Sequence, residues 1–413
     1  MTQRRRPPLS PEAAAVVRAQ LASRRTVLRG AGVLGLGAFL AACGTSGDTS
    51  SGGSSNKPSP AADKSDTDRV VNWANWTLYL DYDEDTKTYP TLEKFQEQTN
   101  IKATYAEDID DNSSYYAKIQ GQLANGQDFG KDVIVMTDWM AGRLIRQGYA
   151  QKLDKSVIPN SKNLLTTLQN VGFDPGRNYS LTWQSGYAGI AWNKDALADL
   201  GLKNGLTKVS DLWNPKLRGR VEVLTEFRDT VGLILQEQGK KIDEQFTADD
   251  YSKALQELDD QLQSGQIRQA KGNSYKEDLI SGDALAAIAW SGDITQINFE
   301  NDNKWQFALP ESGGTLWSDN MLVPIGSPHK KNAEILMNYY YDPVVAAEVA
   351  AYVNYICPVD GAKEELAKTE PDLANDPNIF PTPEYLEKVH VFRSLTPAEE
   401  TQFESDFQKV LGL

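Results

Sequence analysis

Four short stretches of this 413-residue chain place an aromatic ring one to three positions from a hydroxyl or a carboxylate. They are Trp76-Thr77 with Tyr79, Thr137 with Trp139, Trp290 with Asp293, and Trp317 with Asp319. Two acids three positions apart, Glu226 and Asp229, and a further ring, Tyr355, complete the set. The face of an aromatic ring attracts a cation through its quadrupole, by about 0.5–2 kcal/mol per contact. A nearby carboxylate adds a charge-assisted hydrogen bond to an ammonium group. Trp and Tyr also supply flat apolar walls for an alkyl chain. Carboxylates spaced along a slot measure length, because a chain of the wrong length strands a buried charge. The chemistry implied is recognition of a linear polyamine.

These residues must converge to act together, and the pattern of elements says where. Val70-Val71-Asn72-Trp73 reads as a strand, Thr91 to Thr99 as an amphipathic helix, and Ile101 to Tyr105 as a second strand. Ser113 to Ala124 is expected as helix, Val133 to Met136 as a short buried strand, and Asp138 to Gln147 as helix. The alternation resumes with a helix over Thr247 to Gln263, opened by a Thr247/Asp250 capping box, and an apolar strand over Ala284 to Trp290. Helices follow over Asn332 to Tyr341, Val344 to Val353 and Pro397 to Leu411. This predicts an α/β fold with a largely parallel sheet covered on both faces. Ligands of open α/β sheets sit beyond the carboxyl ends of the strands, where these rings and acids collect.

Composition narrows the partners. The chain carries 42 Lys+Arg against 57 Asp+Glu, a net of −15. Seven of those arginines and one acid lie in residues 1–42, so the remainder stands at 35 basic to 56 acidic, a net of −21. Such a body repels nucleic acid and anionic lipid and suits a cationic ligand. Two Cys and two His exclude a disulfide framework and His- or Cys-rich metal chemistry. No phosphate loop, nucleophile elbow or metal motif is present, so neither cofactor nor metal is expected. The acidic run Asp81 to Asp85 lacks the spacing of a calcium loop and reads as a solvated loop or helix start. Trp183, Trp192, Trp213 and Trp305 lack a nearby polar partner and read as core, as does the Cys357 thiol.

The N-terminus is expected to be an address. Basic residues precede an apolar run from Ala31 to Ala42, which spans only about 18 Å as a helix against a bilayer core of roughly 30 Å. Arg24-Arg25 followed by Thr26-Val27-Leu28 resembles a twin-arginine export signal, and Leu40-Ala41-Ala42-Cys43 resembles a lipobox with Cys43 as the lipidated residue. Residues 43–68, rich in Ser, Gly, Thr, Asp and Pro, are expected to form a flexible linker. The mature protein would then be lipid-anchored on the extracytoplasmic face of a bacterial membrane, or periplasmic.

Over residues 70 to 395 the chain resembles the spermidine/putrescine-binding receptors of polyamine ABC transporters. The stretches that carry the resemblance are Asn75-Trp76-Thr77 with Tyr79, Tyr115-Tyr116-Ala117-Lys118, Asp132-Val133-Ile134-Val135 and Gln151-Lys152-Leu153-Asp154-Lys155. Ser210-Asp211-Leu212-Trp213 with Pro215-Lys216-Leu217-Arg218-Gly219, and Gly313-Gly314-Thr315-Leu316-Trp317-Ser318-Asp319, complete it. The resemblance implies that Asp319 holds an amine and that Trp317 and Trp290 stack on the alkyl chain. It also implies first-loop contacts from Trp76, Thr77 and Tyr79, further contacts from Thr137, Trp139 and Tyr355, and acids at Glu226 and Asp229.

The fold implied is the two-lobed periplasmic-binding-protein type II fold with a hinge. Lobe 1 would take residues 69–187 plus 317–363, and lobe 2 residues 188–316 plus 364–413. Crossovers are expected near Ser185-Gly186-Tyr187 and from Gly313 to Trp317. The closed monomer would present its ligand to an ABC permease and catalyse nothing. Two arginines depart from the family pattern, Arg228 between the two acids and Arg393 near a far-end polar contact. Either would repel an ammonium if it pointed inward, so neither spermidine nor putrescine is favoured. The rival readings are a receptor of the same fold for a sugar or amino acid, and a surface glycosidase.

Overall fold

A computed structural model describes residues 57–412 apart from Gln245. The expected export signal over 1–42, the lipidation site Cys43 and residues 44–56 lie outside the described residues.

Twelve strands are described. The first three are β1 (Val70–Trp76), β2 (Lys102–Ile109) and β3 (Val133–Thr137), and a small hairpin follows in β4 (Asn170–Val171) and β5 (Asp174–Pro175). Next come β6 (Ser180–Asn193), β7 (Val221–Leu224), β8 (Ile267–Lys271) and β9 (Ala286–Trp290). The last are β10 (Trp305–Ala308), β11 (Gly314–Leu322) and β12 (Val389–Val391). β7 is buried throughout and β3 and β9 over all but their last residues, as expected of apolar strands covered on both faces.

The large sheet runs β2-β1-β3-β11-β6-β9-β7-β8, with β10 added to β6 and β12 to β11. β1 lies parallel to β2 and β3, and β7 parallel to β8 and β9. The expectation of a largely parallel sheet fails in the middle. β11 is antiparallel to β3 and β6, and β6 is antiparallel to β9 and β10. The long strands β6 and β11 cause this, because β6 runs from one hydrophobic core into the other and β11 pairs along it. Ser180 to Ala188 of β6 pair with β11, and Ala188 to Trp192 pair with β9.

Two cores flank this spine. The first gathers Val71, Trp73, Ile134, Met136, Leu181, Trp183, Met321 and the buried faces of helices Lys330–Tyr340 and Pro343–Val353. At its centre Trp73 meets Trp183 edge-on at 4.8 Å between ring centroids. The second gathers Ile190, Val223, Ile288, Tyr251, Phe403 and Phe407, with helices Phe227–Glu237 and Ala248–Gln263. Trp290 packs against both cores. Cys357, the free cysteine among the described residues, is buried in the first core, and burial pushes its thiol up to about 12.

Two expected boundaries move. Residues 57–68 fall in the expected flexible linker over 43–68, yet backbone hydrogen bonds run from Ala61 to Ile325 and from Lys64 to Pro328. Ser65 is fully buried and its hydroxyl accepts from the Asn332 amide, while His329 meets Asp68 at 3.2 Å. Polar contacts, which composition does not reveal, hold this segment. Leu366, Ala374 and Ile379, assigned to the second lobe, pack into the first core. No helix among the described residues is long and apolar enough to cross a membrane.

Candidate functional site

Strands that end between the two cores hand over directly to helices. Thr137 and Trp290 stand at the N-cap positions of helices Asp138–Gln147 and Ser291–Glu300 without a side-chain cap bond, and the Glu226 side chain caps helix Phe227–Glu237. Asp111 caps a fourth helix, Asn112–Ala124, through a hydrogen bond to the Ser114 amide. These N-termini converge on a single cleft. Their partial positive charge favours carboxylates placed there.

Eleven of the twelve sequence-predicted contact residues line this cleft: Trp76, Thr77, Tyr79, Thr137, Glu226, Asp229, Trp290, Asp293, Trp317, Asp319 and Tyr355. Asp319 sits where the β6–β11 register slips, since Asp319 pairs with Gln184 but Asn320 pairs with Thr182. Such a bulge re-aims a side chain. The Asp319 carboxylate accepts from the Tyr79 hydroxyl at 2.9 Å and the Thr137 hydroxyl at 2.7 Å. Asn112 in turn donates its side-chain amide to the Thr137 hydroxyl at 2.8 Å. Asp229 accepts from the Trp290 indole at 2.8 Å and the Thr315 hydroxyl at 2.7 Å. Asp293 accepts from the Tyr355 hydroxyl at 2.9 Å and the Lys276 ammonium at 3.0 Å.

A row of rings connects these acids. Tyr79 meets Tyr355 at 5.5 Å, Tyr355 meets Trp317 at 5.3 Å, and Trp317 meets Trp290 at 6.4 Å between centroids. Burial pushes Asp319 up to about 7, against the lowering effect of its two hydroxyl donors, and neighbouring Asp138 and Asp229 add to the rise. Burial likewise raises Asp229 to about 6. Glu226 reaches about 7 through burial, offset in part by Arg228. A buried carboxylate without a cation is costly to ionise, so the site stores a preference for an incoming positive charge.

Trp139 is the predicted contact that the structure leaves outside this cleft. It lines an adjoining hollow with Phe227 and Phe407. Its indole donates to Glu226 at 2.9 Å, and the Arg228 and Arg143 guanidinium groups lie 4.2 Å and 4.9 Å from its ring. Trp139 therefore bridges the two cores. The two departing arginines are both engaged elsewhere. Arg228 packs on Trp139 and pairs with Glu226 and Glu400, and Arg393 lies over Phe246 and pairs with Glu399 at 2.7 Å.

Sequence reasoning missed Asp110, Asp111, Asn112, Thr225 and Asn273, which also line the cleft. The first three directly follow β2, which runs four residues past its expected end at Tyr105. Asn273 follows β8, whose mixed residues Ile267–Lys271 lack an apolar run. Asp81, read as solvated, is buried and accepts from the Thr91 amide at the start of helix Pro90–Thr99.

Residues 91–382 match the bacterial extracellular solute-binding protein family. The chain belongs to that family. Among curated relatives, the spermidine/putrescine-binding periplasmic protein of Salmonella typhimurium is 27% identical over 330 residues, covering 79% of this chain and 87% of the relative. Among solved structures, the spermidine/putrescine ABC transporter substrate-binding protein PotD of Streptococcus pneumoniae superposes with a TM-score of 0.66 at 22% identity, over 83% of this chain and 98% of that one. The Tp0655 lipoprotein of Treponema pallidum gives a TM-score of 0.68 at 20% identity, over 83% and 100%. The fold is that of the type II periplasmic binding proteins. Members of this extracellular family are solute receptors, and clefts between compact units are favoured places for small-molecule sites.

Proposed function

We propose that this protein is the extracytoplasmic receptor of an ABC transporter for a linear polyamine. The observation that carries this reading is the pair Asp319 and Asp229, two buried carboxylates whose oxygens accept from hydroxyls and an indole rather than from a cation. Aromatic rings lie between them, so each end can take an ammonium while the rings wall the methylene chain. The twelve predicted residues divide accordingly. Eleven line the ligand's cleft, and Trp139 holds the closed form through Glu226.

In this reading the first lobe comprises residues 69–187, 317–363 and the segment up to about Ile379 that shares its core, and the second comprises the rest. The lobes close by a hinge in β6 and β11, and the closed monomer delivers its ligand to the permease. The N-terminal signal directs export, and acyl groups on Cys43 tether the mature chain to the membrane.

Calorimetric titration with putrescine, spermidine and a neutral diol of matching length tests the ligand class. Binding of an amine without binding of the diol is expected, and equal binding of the diol would sink the reading. Cys43→Ser is expected to move the protein from the membrane fraction to the soluble fraction on cell lysis. Unchanged membrane retention would reject the anchor.

A further inference from the structure

Asp293 differs from the other two acids on the row of rings because it already holds a cation. The Lys276 ammonium lies 3.0 Å from Asp293 Oδ1, and the two side chains are 10% and 3% exposed. The second oxygen, Oδ2, is buried with no hydrogen-bond partner. Lys276 belongs to helix Tyr275–Ser281, and that helix is pinned to the site because the Tyr275 hydroxyl accepts from the Trp290 amide at 3.1 Å. The row of rings thus touches three carboxylates: Asp319 through Tyr79, Asp293 through Tyr355, and Asp229 through Trp290. Of these three, Asp293 alone contacts a cation of the protein among the described residues.

We propose that Lys276 is a built-in ammonium and a specificity-determining residue, filling the third carboxylate so that the cleft prefers a diamine over a triamine. The proposal rests on the polyamine reading above and deepens it. Among the acids off the row, Glu226 is met by Arg228 at 3.4 Å and Asp111 caps helix Asn112–Ala124, so Asp319 and Asp229 remain for two ligand charges. A third ammonium that approaches Asp293 meets a like charge in a low-dielectric wall, which is selection by repulsion rather than by added contact.

The test is calorimetric titration of the full chain and its Lys276→Met variant with putrescine and spermidine. The wild type is expected to bind putrescine more tightly. In Lys276→Met the spermidine-to-putrescine affinity ratio is expected to rise by about tenfold or more, the scale of one charge-assisted hydrogen bond. Lys276→Met combined with Asp293→Asn is expected to return most of that shift. Lys276→Gln keeps a donor for Asp293 and carries the same test if the methionine variant does not fold. An unchanged ratio, or a wild type that prefers spermidine, overturns this proposal alone. Binding of neither amine overturns the polyamine reading and this proposal with it.

Discussion

Gly186 of β6 and Trp317 of β11 are register partners, and the Trp317 indole fills the space that a side chain at residue 186 would need. A Cβ at residue 186 would stand 2.8 Å from Trp317 Cη2 and 2.8 Å from Tyr355 Cδ1. Bare backbone therefore forms the floor under two of the four rings. Gly292 repeats the arrangement beneath Tyr355, where a Cβ would come within 2.6 Å.

Gly186→Ala is expected to displace both rings and to destabilise the fold by about 1–3 kcal/mol, the usual cost of overpacking. Ligand affinity should fall with it, and near-ultraviolet circular dichroism should report the moved indole. A variant with native affinity would show that the rings do not contact the ligand.

Asp319→Asn removes the charge and leaves the shape. Breaking a buried, hydrogen-bonded charge pair typically costs about 2–5 kcal/mol of binding, so putrescine affinity should drop by more than tenfold in a calorimetric titration. The ligand-free variant should unfold at the same temperature or higher, because burial already holds this carboxyl at about 7. A lower melting temperature would mean that the charge stabilises the fold.

The raised carboxyls fix the direction of the pH response. Asp319 at about 7 and Asp229 at about 6 sit above the ordinary aspartate value of 3.8, so the ligand-free folded state binds protons more tightly than the unfolded chain. Their stabilising contribution is full below pH 3.8 and is lost as pH rises through 6 and 7. An amine ligand stays protonated over this range and needs both carboxylates charged. The ligand-induced rise in melting temperature should therefore be larger at pH 8 than at pH 5.5, and binding near pH 6.5 should release protons. Calorimetry in two buffers of different ionisation enthalpy measures that release, and its absence would contradict the burial of these groups.

Glu400 is almost fully buried, within 2.7 Å of Arg146, 3.2 Å of Arg143 and 3.7 Å of Arg228. Arg143 and Arg146 belong to helix Asp138–Gln147 of the first core, and Glu400 to helix Pro397–Leu411 of the second. Glu400→Gln takes the carboxylate from Arg146, while Arg143 keeps Glu404 and Arg228 keeps Glu226, so the cost falls below the about 3–5 kcal/mol of a buried charge left wholly unpaired. If this cluster clamps the closed form, stopped-flow measurements should show faster ligand release with little change in the association rate. Unchanged release would assign the cluster to fold stability alone.

Much of this was legible in the sequence because periodicity and placement coincide. The helix over Ala248–Gln263, with its Thr247/Asp250 capping box, and the apolar strand that ends at Trp290 followed from local pattern. The strand-end rule then led to Thr137, Trp290 and Glu226, each at a strand-to-helix junction. What stayed hidden depends on long-range pairing. The antiparallel β6–β11 spine joins residues more than a hundred positions apart, and no local period encodes its direction. Trp139 and Trp290 are both tryptophans at strand ends, yet one lines the cleft and the other bridges two helices, because only Trp139 finds Arg143 and Arg228 against its ring. The Lys276–Asp293 pair was invisible for the same reason, since the two residues stand on separate helices.

The buried Cys357 has a consequence for life outside the cytoplasm. Burial pushes its thiol up to about 12, so the reactive thiolate is suppressed at neutral pH. An extracellular protein that met oxidants with an accessible thiol would dimerise or acquire adducts, and the packing around residue 357 keeps this sulfur inert until the chain opens.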